Sequence, residues 1–152
     1  MADLQTAYTE PKSIDTSRLM EMISSSPETF FQKNGTALSQ MAPMPLSEYL
    51  HSFLEKKKIT IPQLIIDSDL SKSYTYQVLA GEKAPGRDIL LRLAIALGMT
   101  LDETQHLLTI GDAGILYPKV RRDAAIICCI LQEFNLHETD EFLISVGERT
   151  FL

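Results

Sequence analysis

Between Ser71 and Gly81 the chain carries Lys72, Ser73, Tyr76 and Gln77, a set of hydrogen-bonding side chains spaced to share one arc of a short helix. Ser71 is a good N-cap and Gly81 can supply the left-handed residue that ends the helix. Pro85 follows four residues later, where a new turn must begin. At 100° per residue, Tyr74, Thr75, Val78 and Leu79 fall on the opposite arc, which can pack into a core. The outward arc carries donors and acceptors that can reach phosphates and base edges. Lys83 and Arg87 lie just after this helix and are candidate phosphate anchors. Thr60 caps the preceding helix, where its neighbouring backbone N–H groups can approach a phosphate.

No nucleophile motif, phosphate-binding glycine loop or paired-carboxylate constellation accompanies this arc. His51, His106 and His137 are scattered, without metal-ligand spacing. Cys128 and Cys129 are neighbours in an apolar stretch, where cysteine behaves as a small hydrophobe and adjacent residues do not form an ordinary disulfide. The expectation is a chain with no catalytic residues, no metal and no cofactor. The 152 residues are enough for one domain with an appendage, and the 45% apolar and 22% charged content is that of a globular protein. Apolar runs are too short to cross a bilayer, and the first residues lack the layout of a signal peptide, so a cytoplasmic protein that does not enter membranes is expected.

Net charge is -6, whereas nucleic-acid binders are usually basic. The middle of the chain, residues 46–112, holds 7 basic and 9 acidic side chains and is close to neutral. Distribution outweighs the sum, because a basic face can sit on an acidic molecule. Lys56-Lys57-Lys58, Lys72, Lys83 and Arg87 are the residues able to form such a face. At the end of a helix the three lysines also suit the dipole, which is reason enough for them to be there.

Five helices must position the arc. The first is Leu46–Lys57, with Tyr49, Leu50, Phe53 and Leu54 at helical spacing. The second follows Thr60, with Pro62 in its first turn, and the third is the polar-arc helix. The fourth runs from about Arg87 to Leu97, stopped by Gly98. The fifth begins with the capping box of Thr100 and Glu103 and is expected to continue to Ile110 before Gly111. Upstream, residues 1–45 read as an arm: a tail, short helices near 18–24 and 27–34, and a Met/Pro/Ser-rich linker.

Thr60 to Glu103 resembles the lambda-repressor-like (Cro/repressor-type) helix-turn-helix family of bacterial and phage regulators. The residues that carry the likeness are Leu64, Leu70-Ser71-Lys72-Ser73-Tyr74, Gln77-Val78, Gly81, Pro85 and the run from Leu90 through Leu97-Gly98 to Glu103. The resemblance implies a third helix that enters the major groove of double-stranded DNA, with Lys72, Ser73, Gln77 and Tyr76 reading bases. Lys donates to guanine, Gln bonds adenine bidentately, Ser serves several bases, and Tyr76 can pack on a thymine methyl. Thr60, Lys83 and Arg87 become the phosphate contacts. The family reads two half-sites about 34 Å apart, which implies a homodimer. Four positions depart from the pattern: Asp69 where the family often has Gly, Thr75 where it is often aliphatic, Tyr76 where it is small and polar, and Leu79 where it is acidic.

Residues 101–108 and 136–143 match at an offset of 35, with Glu, Thr and the closing Leu identical. The apolar helix 126–131 then stands where 91–96 stands in the first copy. A helix-loop-helix period of this length predicts a second hairpin, with helices over about Pro118–Phe134 and Leu136–Val146, packed on helices four and five. The expected protein is all-α: an arm (1–45), a repressor-like five-helix domain (46–112) and a C-terminal hairpin (113–152). Its expected function is sequence-specific transcriptional regulation. The alternative is a non-catalytic interaction or signalling adaptor that keeps the fold without DNA, with Tyr74 and Tyr76 facing a protein partner.

Overall fold

A computed structural model describes residues 44–152, and Ser17 besides. The short helices and linker expected within 1–45 lie almost wholly outside the described residues. Seven helices and no strand occur among the described residues: α1 (Leu46–Lys57), α2 (Ile61–Ser68), α3 (Lys72–Leu79), α4 (Arg87–Ala96), α5 (Leu101–Ile110), α6 (Arg121–Leu131) and α7 (Leu136–Ser145). None is long and apolar enough to cross a membrane. Residues 45–152 form one unit, so the C-terminal hairpin belongs to the same body as the five helices before it.

Each helix is delimited by local chemistry. The Thr60 hydroxyl accepts the Gln63 N–H at 3.3 Å and starts α2. The Ser71 hydroxyl accepts the Tyr74 N–H at 3.1 Å and starts α3. Thr100 with Glu103 and Asn135 with Glu138 close reciprocal capping boxes on α5 and α7, each cap contributing about 1 kcal/mol. Left-handed residues stop α1 at Lys58 and α2 at Asp69. Gly81 (φ +78°) follows α3, and Gly98 (φ +63°) follows α4.

Apolar stripes then meet. Tyr49, Leu50, Phe53 and Leu54 of α1 are buried against α3 and α5, and the Tyr49 hydroxyl donates to the Glu103 carbonyl at 3.1 Å. Leu64 of α2 is fully buried as α2 packs on α3 and α4. Leu90, Leu91, Leu93 and Ala94 of α4 fill the centre. Fully burying a side chain of this size is worth roughly 2–3 kcal/mol.

The fifth helix ends at Ile110 before Gly111, as its spacing predicts, but its stop is made differently, and the start of the sixth moves. Gly111 does not supply the left-handed stop of α5: its φ is -78°, and Asp112 (φ 54°) takes that role. Glycine fits there because a Cβ would stand 2.5 Å from Cδ1 of the buried Leu90, which would have to shift. The sixth helix starts at Arg121 rather than near Pro118. Tyr117–Val120 instead forms a turn closed by the Val120 N–H to the Tyr117 carbonyl at 3.0 Å.

The repeat extends well beyond the residues that revealed it. Left-handed residues Gly98 and Asp112 correspond to Glu133 and Gly147 at the same offset of 35. Gln105 Oε1 accepts the Leu116 N–H at 2.7 Å, and Asp140 Oδ1 accepts the equivalent Phe151 N–H at 2.7 Å. α4 packs on α7 and α5 on α6, so the two hairpins embrace reciprocally. A cavity of about 330 Å³ between them is lined by equivalent pairs: Ile95 and Ile130, Met99 and Phe134, Thr100 and Asn135.

Two glycines test the backbone account. Gly81→Val should destabilise the protein by at least roughly 1–2 kcal/mol, the cost of a left-handed L-residue. Gly86→Ser should instead raise the melting temperature slightly, by a few tenths of a kcal/mol, because α4 has no side-chain cap and φ is ordinary there. Thermal unfolding followed by circular dichroism checks both, and equal effects at the two sites would refute the distinction.

Candidate nucleic-acid interface

The α3 arcs fall largely as the sequence spacing predicts. Thr75, Val78 and Leu79 are buried, Tyr74 is half-buried, and Lys72, Ser73 and Tyr76 are exposed. Gln77 is half-buried. Tyr76 keeps 43% of its surface, large for an aromatic side chain. Thr75 is accommodated in the core because its hydroxyl donates to the Ser71 carbonyl at 2.8 Å, which leaves its methyl to pack.

Three contacts outside α3 set its position. Arg92 of α4 donates through Nε to the Ser68 carbonyl at 3.0 Å and through Nη2 to the Asp69 carbonyl at 2.7 Å. Those carbonyls are freed at the end of α2, so Arg92 ties the turn between α2 and α3 to α4. His51 of α1 reaches the Leu79 carbonyl through Nε2 at 2.9 Å and closes the other end of α3. The backbone N–H groups of Gly81 and Glu82 satisfy the Val78 and Gln77 carbonyls at 3.1 and 2.9 Å.

Thr60, Lys72 and Lys83 are exposed, and among the described residues neither lysine makes an ion pair. The sequence expectation for Arg87 needs correction. Its guanidinium is occupied inside the protein: Nη1 and Nη2 bind Asp123 at 2.9 and 2.7 Å, Nε donates to the Gly114 carbonyl at 2.8 Å, and Nη2 donates to the Ile115 carbonyl at 2.9 Å. A phosphate would have to displace a bidentate carboxylate, so Arg87 is a structural cation. Lys56 is likewise engaged, 3.6 Å from the buried Glu103 carboxylate and over the Phe53 ring. The acidic side chains of Asp67, Asp69 and Glu82 are exposed on or beside the same α2–α3 segment.

Arg92, His51 and Asp123 were not singled out by sequence reasoning. Nothing in the local pattern marks Arg92 or His51, whose partners are main-chain carbonyls 23 and 28 residues away. Asp123 had a signal: Arg87-Asp88 recurs as Arg122-Asp123 at the offset of 35. Arg122 binds Asp88 through Nη1 and Nη2 at 3.0 and 3.2 Å, the counterpart of the Arg87–Asp123 pair.

The described residues hold no group of three or more His, Cys, Asp or Glu side chains able to share a metal. Cys129 is buried beneath α7, and burial raises its thiol above the ordinary value. Cys128 is exposed rather than buried as its apolar stretch suggested. Comparison with protein-family models, curated proteins and solved structures found no match to the chain.

Acid should lower the protein's stability over two separate pH ranges. Burial lowers the His106 imidazole below its ordinary 6.5, so the folded state holds it neutral against Tyr49. The unfolded chain takes up that proton more readily, and stability should fall as pH drops below about 6.5. Burial alone would push the Asp123 carboxyl up, but hydrogen bonds from Arg87 and the Tyr117 amide, with the charges of Arg87 and Arg122, hold it below 3.8. Its contribution is complete above that value and is lost as pH falls further. Arg87→Ala should cost roughly 3 kcal/mol, the low end for a buried pair because Arg87 keeps 30% of its side chain exposed. Urea unfolding between pH 3 and 8 checks this: His106→Leu should flatten the upper limb, and Arg87→Ala should flatten the lower one.

Proposed function

We propose that the protein is a sequence-specific DNA-binding transcriptional regulator built on a repressor-like helix-turn-helix arrangement. The observation that carries the reading is the outward arc of α3. Lys72, Ser73 and Tyr76 are exposed on a helix whose opposite side is buried and whose two ends are tied to other helices. A rigid short helix with free donors and acceptors on one side is what major-groove reading requires. In this reading Lys72, Ser73 and Gln77 contact bases, with Tyr76 on a thymine methyl or sugar. Thr60 and Lys83 hold phosphates, and Arg87 does not.

Reading two half-sites calls for two copies, so the reading includes a homodimer. The left-handed conformation of Asp69 bears on the family likeness: the position at which Gly is frequent is one where positive φ is needed. The same residue favours a second reading, an interaction adaptor. Its carboxylate is exposed at the entry to α3, where a phosphate backbone would be repelled, and Tyr76 would serve equally on a protein-binding face.

Binding to random duplexes as a function of salt separates the two. A regulator loses affinity steeply as salt rises, because counterions return to the phosphates. Absence of binding to any duplex at low salt would leave the adaptor in its place. For a bound sequence selected from random duplexes, Gln77→Ala should cost about 1–3 kcal/mol of discrimination at one base position. Lys83→Ala should weaken all sequences alike and reduce the salt slope by about one. Arg87→Ala, measured where the variant remains folded, should leave that slope unchanged.

A further inference from the structure

The two hairpins, α4–α5 and α6–α7, are joined by reciprocal ion pairs. Arg87 of the first holds Asp123 of the second, and Arg122 of the second holds Asp88 of the first. These are equivalent residues exchanged across the contact, and the likeness reaches the backbone. Arg87 Nε donates to the Gly114 carbonyl at 2.8 Å, while Arg122 Nε donates to the carbonyl of Arg149, 35 residues on, at 2.9 Å. A contact in which one partner's residue i meets residue j, and j meets i, is the relation found across a twofold homodimer interface. Here both partners lie in one chain.

We propose that the α4–α5 face carrying Arg87 and Asp88 is an exchange surface for a second copy of the chain, which docks its own α6–α7 hairpin there. Two chains then pair by trading hairpins. Complementarity follows without further assumption, since the second copy carries the same Arg122, Asp123 and apolar stripe. The joint is also suited to opening. Residues 111–120 join the hairpins. Arg87 and Gln105 hold Gly114, Ile115 and Leu116 to the first hairpin, which leaves Tyr117, Pro118, Lys119 and Val120, all exposed, closed by one backbone hydrogen bond at 3.0 Å and by the Tyr117 N–H to Asp123. Extending that joint breaks these two bonds and the hairpin contacts, and every hairpin contact is remade between chains.

Uncovered apolar side chains also stand at and beside the joint. Ile115, Tyr117 and Val120 are each about half exposed. In an exchanged pair the two joints run beside each other, and these side chains gain a partner. The surface is separate from α3, so the inference does not rest on DNA binding. It supplies the second copy that a two-half-site reader requires.

Complementation between two full-length variants tests it. The first carries Arg87→Ala and Asp88→Ala, and the second carries Arg122→Ala and Asp123→Ala. Neither chain can form a clamp within itself or with a copy of itself. Mixed, the intact α6–α7 of the first matches the intact α4–α5 of the second, while the remaining contact brings together only alanines. The expected result is a 1:1 complex of twice the chain mass by native mass spectrometry. Its melting midpoint should lie above that of either variant alone. A dimer formed through any other surface would form equally in each variant alone, so mixing would not raise the midpoint. If the mixture melts as two independent components, the exchange surface is refuted. That holds also where each variant alone is unfolded, since the matching partner is then present in trans.

Discussion

Arg87 and Asp123 form the ion pair on which the arrangement of the last four helices depends. The carboxylate is nearly buried and accepts both terminal nitrogens of Arg87 as well as the Tyr117 N–H. Such a group is costly to bury unless all its acceptors are used, and here the guanidinium also takes the Gly114 and Ile115 carbonyls. One pair therefore fixes the start of α4, the chain between the hairpins and the start of α6. Its counterpart, Arg122 with Asp88, adds the Arg149 carbonyl and packs over the Phe151 ring. The two clamps hold a four-helix body whose apolar stripes alone would not specify the relative placement of the hairpins.

From that body the constraint passes to α3. The α4 helix is anchored at its first residue by Asp123 and, one and a half turns on, offers Arg92 to the carbonyls that end α2. The turn between α2 and α3 is thus tied to a helix held from its far side by the C-terminal hairpin. α1 holds the opposite end of α3 through His51 and meets α5 through Tyr49. The outward arc of α3 is carried on a frame built from both hairpins, which is the rigidity that reading a groove by a few side chains requires. Charge is distributed accordingly. Arg87, Arg92, Arg122 and Lys56 serve the frame, which leaves Lys57, Lys58, Lys72 and Lys83 of the candidate basic face as exposed cations, with the acids Asp67, Asp69 and Glu82 on or beside α2 and α3. An acidic chain with so few free cations near the arc would draw less of its affinity from phosphates than most nucleic-acid binders.

Helix positions and their caps were legible in the sequence because they depend on neighbours three or four residues away. Ser71, Thr60 and the Thr100–Glu103 box all act locally, and so does the left-handed glycine after α3. The separation of Thr75, Val78 and Leu79 from Lys72, Ser73 and Tyr76 is likewise a matter of 3.6-residue geometry. The repeat was also written in the sequence, in the matching turns of α5 and α7.

Tertiary structure alone decided what the long-range partners do. Arg87 has the same sequence neighbourhood whether it faces a phosphate or a carboxylate, and only the fold brings Asp123 to it from 36 residues away. Arg92 and His51 acquire their roles from carbonyls whose availability depends on where α2 and α3 end in space. The repeat told the same half of its story: sequence set out two like hairpins, and packing determined that each Arg would choose the Asp of the other copy. The physical reason is common to these cases. Backbone periodicity and caps are short-range, whereas the pairing of a charge is settled by which opposite charge the folded chain leaves nearest in a poorly solvated place.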